Sequence, residues 1–257
     1  MLRILVLFSL ALPYLLAHDR FIGLRFADNT NSYILINPNM APVEEGISIC
    51  TWVHKLKSGD TPYLLRYNAP GVLYDIVMRD SSHYFNMLKQ YTSTGITAPL
   101  NEWHHQCLTW SFATETTKFY YNGKLLKSAT TPSGRKLAMG GSIAIGQTHK
   151  TTTLEADFHD QRYSFGGELH DFNIFTEQLT DEEVSEMYRS GMCSKYVESL
   201  SESNMFLEWD TLLNNTPLHN IQKFNMTQCP SHTHAPEPTT DAPEPTTPEP
   251  TTPEPTT

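Results

Sequence analysis

Asn101 to Leu126, NEWHHQCLTWSFATETTKFYYNGKLL, decides the fold. Trp103 to Phe112 is rich in aromatic and apolar residues, Lys118 to Tyr121 is a second aromatic run, and Lys124 to Leu126 returns after Asn122-Gly123. Asn-Gly supplies the two positive φ angles of a type I′ turn, so the last two runs read as a hairpin. Cys107 stands at the centre of the first run, and Cys50 at the centre of a similar one, ISICTWVH. A strand centre has little freedom to move, so a bond made there pins a sheet. An all-β chain with paired sheets is the expectation.

Outward from this stretch the same pattern repeats. Phe21 to Phe26, Tyr33 to Ile36, Ile47 to His54, Tyr63 to Tyr67, Leu73 to Met78 and Tyr84 to Met87 are short apolar runs broken by turn residues such as Ala69-Pro70-Gly71. Ser142 to Gly146 and Glu168 to Phe175 continue the series, and Phe206 to Leu212 and Leu218 to Phe224 read as closing strands. Short strands at such spacing signal a sandwich or jelly roll. One helix interrupts them. Thr180 followed by Glu183 forms a capping box, Asp181-Glu182-Glu183 suits the positive helix end, and Val184, Met187 and Tyr188 share a face before Gly191.

These residues also carry a resemblance. Asn101-Glu102-Trp103-His104-His105, Thr109-Trp110 and Tyr121-Asn122-Gly123-Lys124 resemble the signature of laminin-G-like (concanavalin A-like) jelly-roll domains. His105-Gln106-Cys107-Leu108-Thr109-Trp110 resembles the pentraxin signature His-x-Cys-x-(Ser/Thr)-Trp, departing from it at Phe112, where Ser or Thr belongs. Gly146-Gln147, Phe165-Gly166-Gly167 and Leu179 to Glu183 extend the likeness, which covers roughly Phe21 to Cys229. It implies an all-β, two-sheet antiparallel jelly-roll sandwich with one short amphipathic helix. Four cysteines allow three connectivities. The resemblance points to Cys50 with Cys107, which leaves Cys193 for Cys229.

The chain ends differ from this domain in composition. Met1-Leu2-Arg3, the apolar Ile4 to Leu16 and the small Ala17 read as a secretory leader, residues 1–17, cleaved before His18. The expected layout is therefore a leader, a jelly-roll domain over 18–229, and a tail over 230–257. In the tail Pro-Glu-Pro-Thr-Thr occurs four times, and alternate prolines exclude a sheet while favouring extended polyproline II. Its Thr and Pro are the composition of an O-glycosylated stalk or a solvated spacer. The net charge is −10; setting aside Arg3 and the tail's five acids leaves −6 on residues 18–235. Such a domain has no electrostatic footprint for nucleic acid. No later run approaches the roughly 18 apolar residues of a membrane span. Two disulfides and a leader place the chain outside the cell. Asn214-Asn215-Thr216, followed by Pro217, and Asn225-Met226-Thr227 are glycosylation sequons, Asn225 the better placed.

The resemblance implies calcium, which pentraxins bind through an early Asp-Asn pair and a later Gly-Gln-Glu-Gln-Asp run. Calcium takes six to eight oxygens. Here Gly146-Gln147 is kept, Thr148, His149 and Lys150 stand at the next ligand positions, Glu155 aligns with a family ligand while Phe158 replaces the next, and the early loop Asn68 to Gly71 lacks the Asp. The expectation is a degenerate calcium site and no cofactor. Glu155, Asp157 and Asp160 remain as a different metal candidate. Glu155 and Asp157 also share one side of a strand, as in jelly-roll glucanases, but Asp160 falls out of phase. His104 and His105 are adjacent and face opposite ways on a strand, so His105 reads as a packed histidine. The functional expectation is a secreted, non-catalytic binding module for a glycan or an extracellular matrix or surface protein. Oligomers are compatible with it, since pentraxins form rings. The alternatives are a structural matrix protein and a glycosidase using Glu155 and Asp157.

Overall fold

The computed structural model describes residues 21–27, 31–38, 43–57, 62–79, 84–132, 136–138, 140–148, 163–194, 196–200, 204–226 and 229. The expected leader, the repeat tail and the acids Glu155, Asp157 and Asp160 lie outside the described residues.

Two antiparallel sheets face one another. With strands numbered in chain order, sheet one runs β10 (Lys124–Thr130), β9 (Thr116–Tyr121), β8 (Trp103–Ser111), β3 (Gly46–Lys55), β12 (Gly167–Phe175), β1 (Ile22–Phe26) and β15 (Ile221–Asn225). A short β13 (Met205–Leu207) also pairs with β12. Sheet two runs β14 (Leu218–His219), β2 (Tyr33–Ile36), β11 (Ser142–Ile145), β4 (Tyr63–Ala69), β5 (Val72–Arg79), β6 (Tyr84–Met87) and β7 (Gln90–Ser93). Non-sequential neighbours in both sheets make this the expected jelly-roll sandwich. Alternate residues point inward, so Leu24, Val53, Leu108, Trp110, Phe119 and Leu169 from sheet one meet Leu65, Tyr67, Ile76, Phe85 and Ile143 from sheet two in one buried core.

The opening stretch forms the hairpin its Asn-Gly dictates. Asn122 and Gly123 have φ of 49° and 72°. The Asn122 side chain accepts from the His105 backbone N–H at 2.9 Å, and its own N–H donates to the His105 carbonyl at 2.9 Å, bracing the turn on β8. A Cβ on Gly123 would lie 2.7 Å from the Cβ of Tyr188, so the turn also packs against a helix.

That helix, α1 (Asp181–Ser190), carries the full capping box, with Glu183 N–H donating to the Thr180 hydroxyl at 3.2 Å and Thr180 N–H to the Glu183 carboxylate at 2.7 Å. It buries Val184 and Met187 on the outer face of sheet one, over Cys50, Cys107, Tyr120 and Phe175. Cys50 and Cys107 stand directly opposite in the β3–β8 register and are joined by a disulfide; a second joins Cys193 to Cys229.

Phe206 to Leu212 corrects the sequence reading. Only Met205–Leu207 is a strand, and α3 (Trp209–Asn215) follows a short α2 (Tyr196–Ser199). Trp209, Leu212 and Leu213 are all buried, at the i, i+3, i+4 spacing of a helix face. Glu208 gives α3 no side-chain cap, and Asn173 of β12 instead accepts from the Trp209 N–H at 2.9 Å. The last closing run divides at Asn220, φ 50°, passing from sheet two into sheet one. No described helix is long and apolar enough to cross a membrane.

Candidate functional site

Cross-strand register builds one row of side chains on the outer face of sheet one. Arg25 pairs with Gln222 of β15 on one side and Glu168 of β12 on the other; Glu168 pairs with His54 of β3, and His54 with Trp103 of β8. Arg25 grips one carboxylate oxygen of Glu168, Nε at 2.8 Å and Nη2 at 2.6 Å, while His54 Nδ1 lies 2.9 Å from the other. The guanidinium also lies over the Phe224 ring, 5.0 Å from its centroid. Trp103 stacks on His54 with ring centroids 5.1 Å apart. Burial pushes the Glu168 carboxyl up, but its hydrogen bonds with His54 and Arg25 outweigh that and hold it below its ordinary value.

Immediately beyond the row, where β1, β3 and β12 reach the end of the sandwich, lies a cleft of about 560 Å³. Gly166 and Gly167 line it, Leu56 and Leu100 present apolar side chains that are 43% and 42% exposed, and Arg25, Lys57, Asn220 and Gln222 supply polar groups. A Cβ on Gly167 would meet the His54 carbonyl at 2.5 Å, so the strands approach too closely there for any side chain. A cleft of this size with an apolar wall and few convergent polar groups is the usual form of a small-ligand site.

The outer face of sheet two is built differently. Arg66, Asn68, Asp75 and Asn86 alternate with the core residues Leu65, Tyr67, Ile76 and Phe85, and all four are buried. Arg66 Nε donates to the Asn68 side-chain oxygen at 3.1 Å, and Arg66 Nη1 donates to the Thr148 hydroxyl. The Gln147 side-chain oxygen accepts from the Thr148 N–H at 2.8 Å. This face holds what remains of the calcium set that the sequence resemblance implies, and the described residues do not fit the ion. Among the described residues the surviving oxygen ligands, Asn68 and Gln147, are engaged by protein N–H groups, and Glu155 lies outside the described residues. A guanidinium that cannot deprotonate stands beside them. Among the described residues no three of His, Cys, Asp and Glu are grouped to hold a metal.

The row and the cleft escaped the sequence reading, which sought its site at Glu155, Asp157 and Asp160. Arg25 and Glu168 are 143 residues apart, and His54 and Glu168 are 114 apart. Only strand order brings them together. His104 and His105 are buried on opposite faces, against Tyr121 and Trp52 with centroids 5.3 and 5.1 Å apart. Asn214 on α3 and Asn225 on β15 are both exposed.

Residues 28–185 match the family described as the Concanavalin A-like lectin/glucanases superfamily. The chain is 28% identical over 156 residues to Pentraxin-related protein PTX3 of Homo sapiens, covering 58% of this chain and 40% of that protein. It is 25% identical over 162 residues to the Neuronal pentraxin receptor of Homo sapiens, covering 60% of this chain and 31% of that one. The chain thus spans well under half the length of these relatives. In fold it is similar to a heptameric SAP-like pentraxin from Limulus polyphemus, with a TM-score of 0.63, 17% identity, and coverage of 82% of this chain and 98% of that one. It is also similar to a putative carbohydrate binding protein from Bacteroides ovatus, with a TM-score of 0.61, 14% identity, and coverage of 82% and 61%. Sequence match, sheet order and relatives agree: the chain belongs to the concanavalin A-like lectin/glucanases superfamily and carries a pentraxin/laminin-G-like jelly-roll domain.

Proposed function

We propose that this chain is a secreted, non-catalytic binding module that takes a glycan or another extracellular matrix or surface component in the cleft at the end of sheet one. The observation that carries this reading is the cleft itself, where an Arg25 side chain held by Glu168 and Phe224 faces an exposed Leu56–Leu100 wall. Groups fixed before the ligand arrives lose little freedom on binding it. The pentraxin relatives favour binding over catalysis. The layout proposed with it is a leader over 1–17, the domain over 18–229 and a Pro/Thr/Glu-rich spacer over 230–257, with an N-linked glycan on Asn225. Calcium plays no part, because Arg66 already supplies a cation to the face where the ion would bind.

The test is a glycan array probed with the full chain from a secretory host, in calcium and in chelator. Retention on a defined glycan set, equal in both buffers, is the expected result. Retention lost in chelator would remove the calcium-independent reading, and no retention on glycan or on a panel of matrix proteins would remove the binding reading. A reducing-sugar assay on the retained glycans should show no cleavage.

A further inference from the structure

From the geometry of Arg25 we infer that the cleft recognises an uncharged sugar through a pair of vicinal hydroxyls, rather than a sulfated or carboxylated one. This rests on the binding reading above and narrows its ligand class. A guanidinium carries five N–H donors in a rigid fork. Glu168 takes the edge formed by Nε and Nη2 of Arg25. The other edge, Nη1 with the outer N–H of Nη2, makes no bond to any described residue, while Phe224 fixes the plane from one side. Two adjacent hydroxyl oxygens match that edge as the two oxygens of a carboxylate do.

Charge decides between these ligands. The Glu168 carboxylate lies within 2.6 Å of the guanidinium, so the Arg25–Glu168 pair is neutral as a unit. An anionic ligand on the free edge would meet the field of Glu168 at close range and lose most of what Arg25 offers. A hydroxyl pair accepts the same hydrogen bonds without that repulsion. The remaining polar groups agree. Gln222 is exposed, directly opposite Arg25 in the register, and offers a neutral carboxamide with both donors and an acceptor for hydroxyls. Asn220 lines the same cleft, its side-chain nitrogen donating to the Asn31 carbonyl at 3.2 Å. Leu56 and Leu100 offer the apolar surface on which the C–H face of a sugar ring rests. Among the described lining residues Lys57 is the one cation outside the pair, and a single lysine gives a charged ligand little advantage in salt.

The experiment compares dextran and galactomannan, both uncharged and rich in vicinal hydroxyls, with heparin and polysialic acid as immobilised probes, using the full chain at about 50 mM and about 500 mM salt. Capture by a neutral probe that changes less than about twofold between the two salts is expected. Arg25→Met should weaken that capture about tenfold or more, as loss of charged hydrogen bonds does. Gln222→Ala and Leu100→Asp alter the cleft without touching the ion pair, and each should weaken it as well. Capture by heparin or polysialic acid alone, abolished by high salt, would overturn the inference and leave the binding reading standing. Neutral capture indifferent to all three variants would overturn it too. No capture by any glycan in either class would remove the binding reading on which it depends.

Discussion

On the outer face of sheet one, Glu168 lies between Arg25 and His54, and the charged row runs out to a cleft. On the outer face of sheet two, Arg66 is wholly buried and donates to Asn68 and Thr148. Burying a charge is costly unless its hydrogen bonds are met. The first face meets them while leaving one guanidinium edge to solvent; the second spends its donors on the protein's own oxygens. The difference separates groups that can still bind something from groups already used in folding. It also explains why the face resembling a calcium site is the poorer candidate for a ligand.

The largest effect that would sharpen this contrast concerns the staple beneath α1. Cys50 and Cys107 are 57 residues apart, and a closed loop of that length is worth about 4 kcal/mol in the unfolded-chain model. Replacing both with Ala should lower the urea midpoint accordingly. Peptide mapping without reductant should recover Cys50–Cys107 and Cys193–Cys229, and a Cys107–Cys193 peptide would undo the strand pairing. Next comes Arg66→Met, expected to cost about 3 kcal/mol because Asn68 and Thr148 lose their donor inside the protein. The native melting temperature should not respond to chelator. A ligand at 100 times its dissociation constant adds about 2.7 kcal/mol, so millimolar calcium that raised the melting temperature by several degrees would break the contrast between the faces.

Glu168→Gln should have a smaller effect, about 1–2 kcal/mol at neutral pH, and it carries a pH signature. The folded carboxyl is held below its ordinary value. Its stabilisation is therefore present above the unfolded pKa of about 4.3 and is lost as pH falls through the lower folded value. The difference in melting temperature between wild type and variant should close on acidification. A difference that widens in acid would mean that Arg25 and His54 do not favour the ionised form. The smallest effect belongs to Thr180→Ala, which removes the α1 cap and should cost about 1 kcal/mol by thermal unfolding.

Much of the architecture could be read from local pattern. The Asn122-Gly123 hairpin, the capping box at Thr180 and the strand-centred cysteines each depend on residues near in sequence or on a single pairing. The site could not, because Arg25, His54 and Glu168 become neighbours only when β12 lies between β1 and β3. The sequence puts Glu168 on a strand, as the structure has it, yet period-two alternation says nothing of which strand lies alongside. The error at Phe206 to Leu212 is of another kind. An apolar run of that length fits a strand or a helix face equally well, and the bond from Trp209 to Asn173 decides it through a residue 36 positions away.

Asp171, in β12, has φ of 49°, and pairing with β3 jumps there from His170–Trp52 to Asn173–Cys50. One extra residue resets the parity of the strand. Glu168 and His170 point outward before it, Asn173 and Phe175 after it, though an odd step separates the two pairs. The early half thus supports the cleft and the late half supports the helical cover, on a single strand with two phases. Deleting Asp171 would make the register unbroken from His170–Trp52 through Phe172 to Asn173–Cys50 and leave Glu168 and Asn173 both outward. Inserting a second residue there would instead turn Asn173 toward the apolar interior and undo the cover before the ion pair.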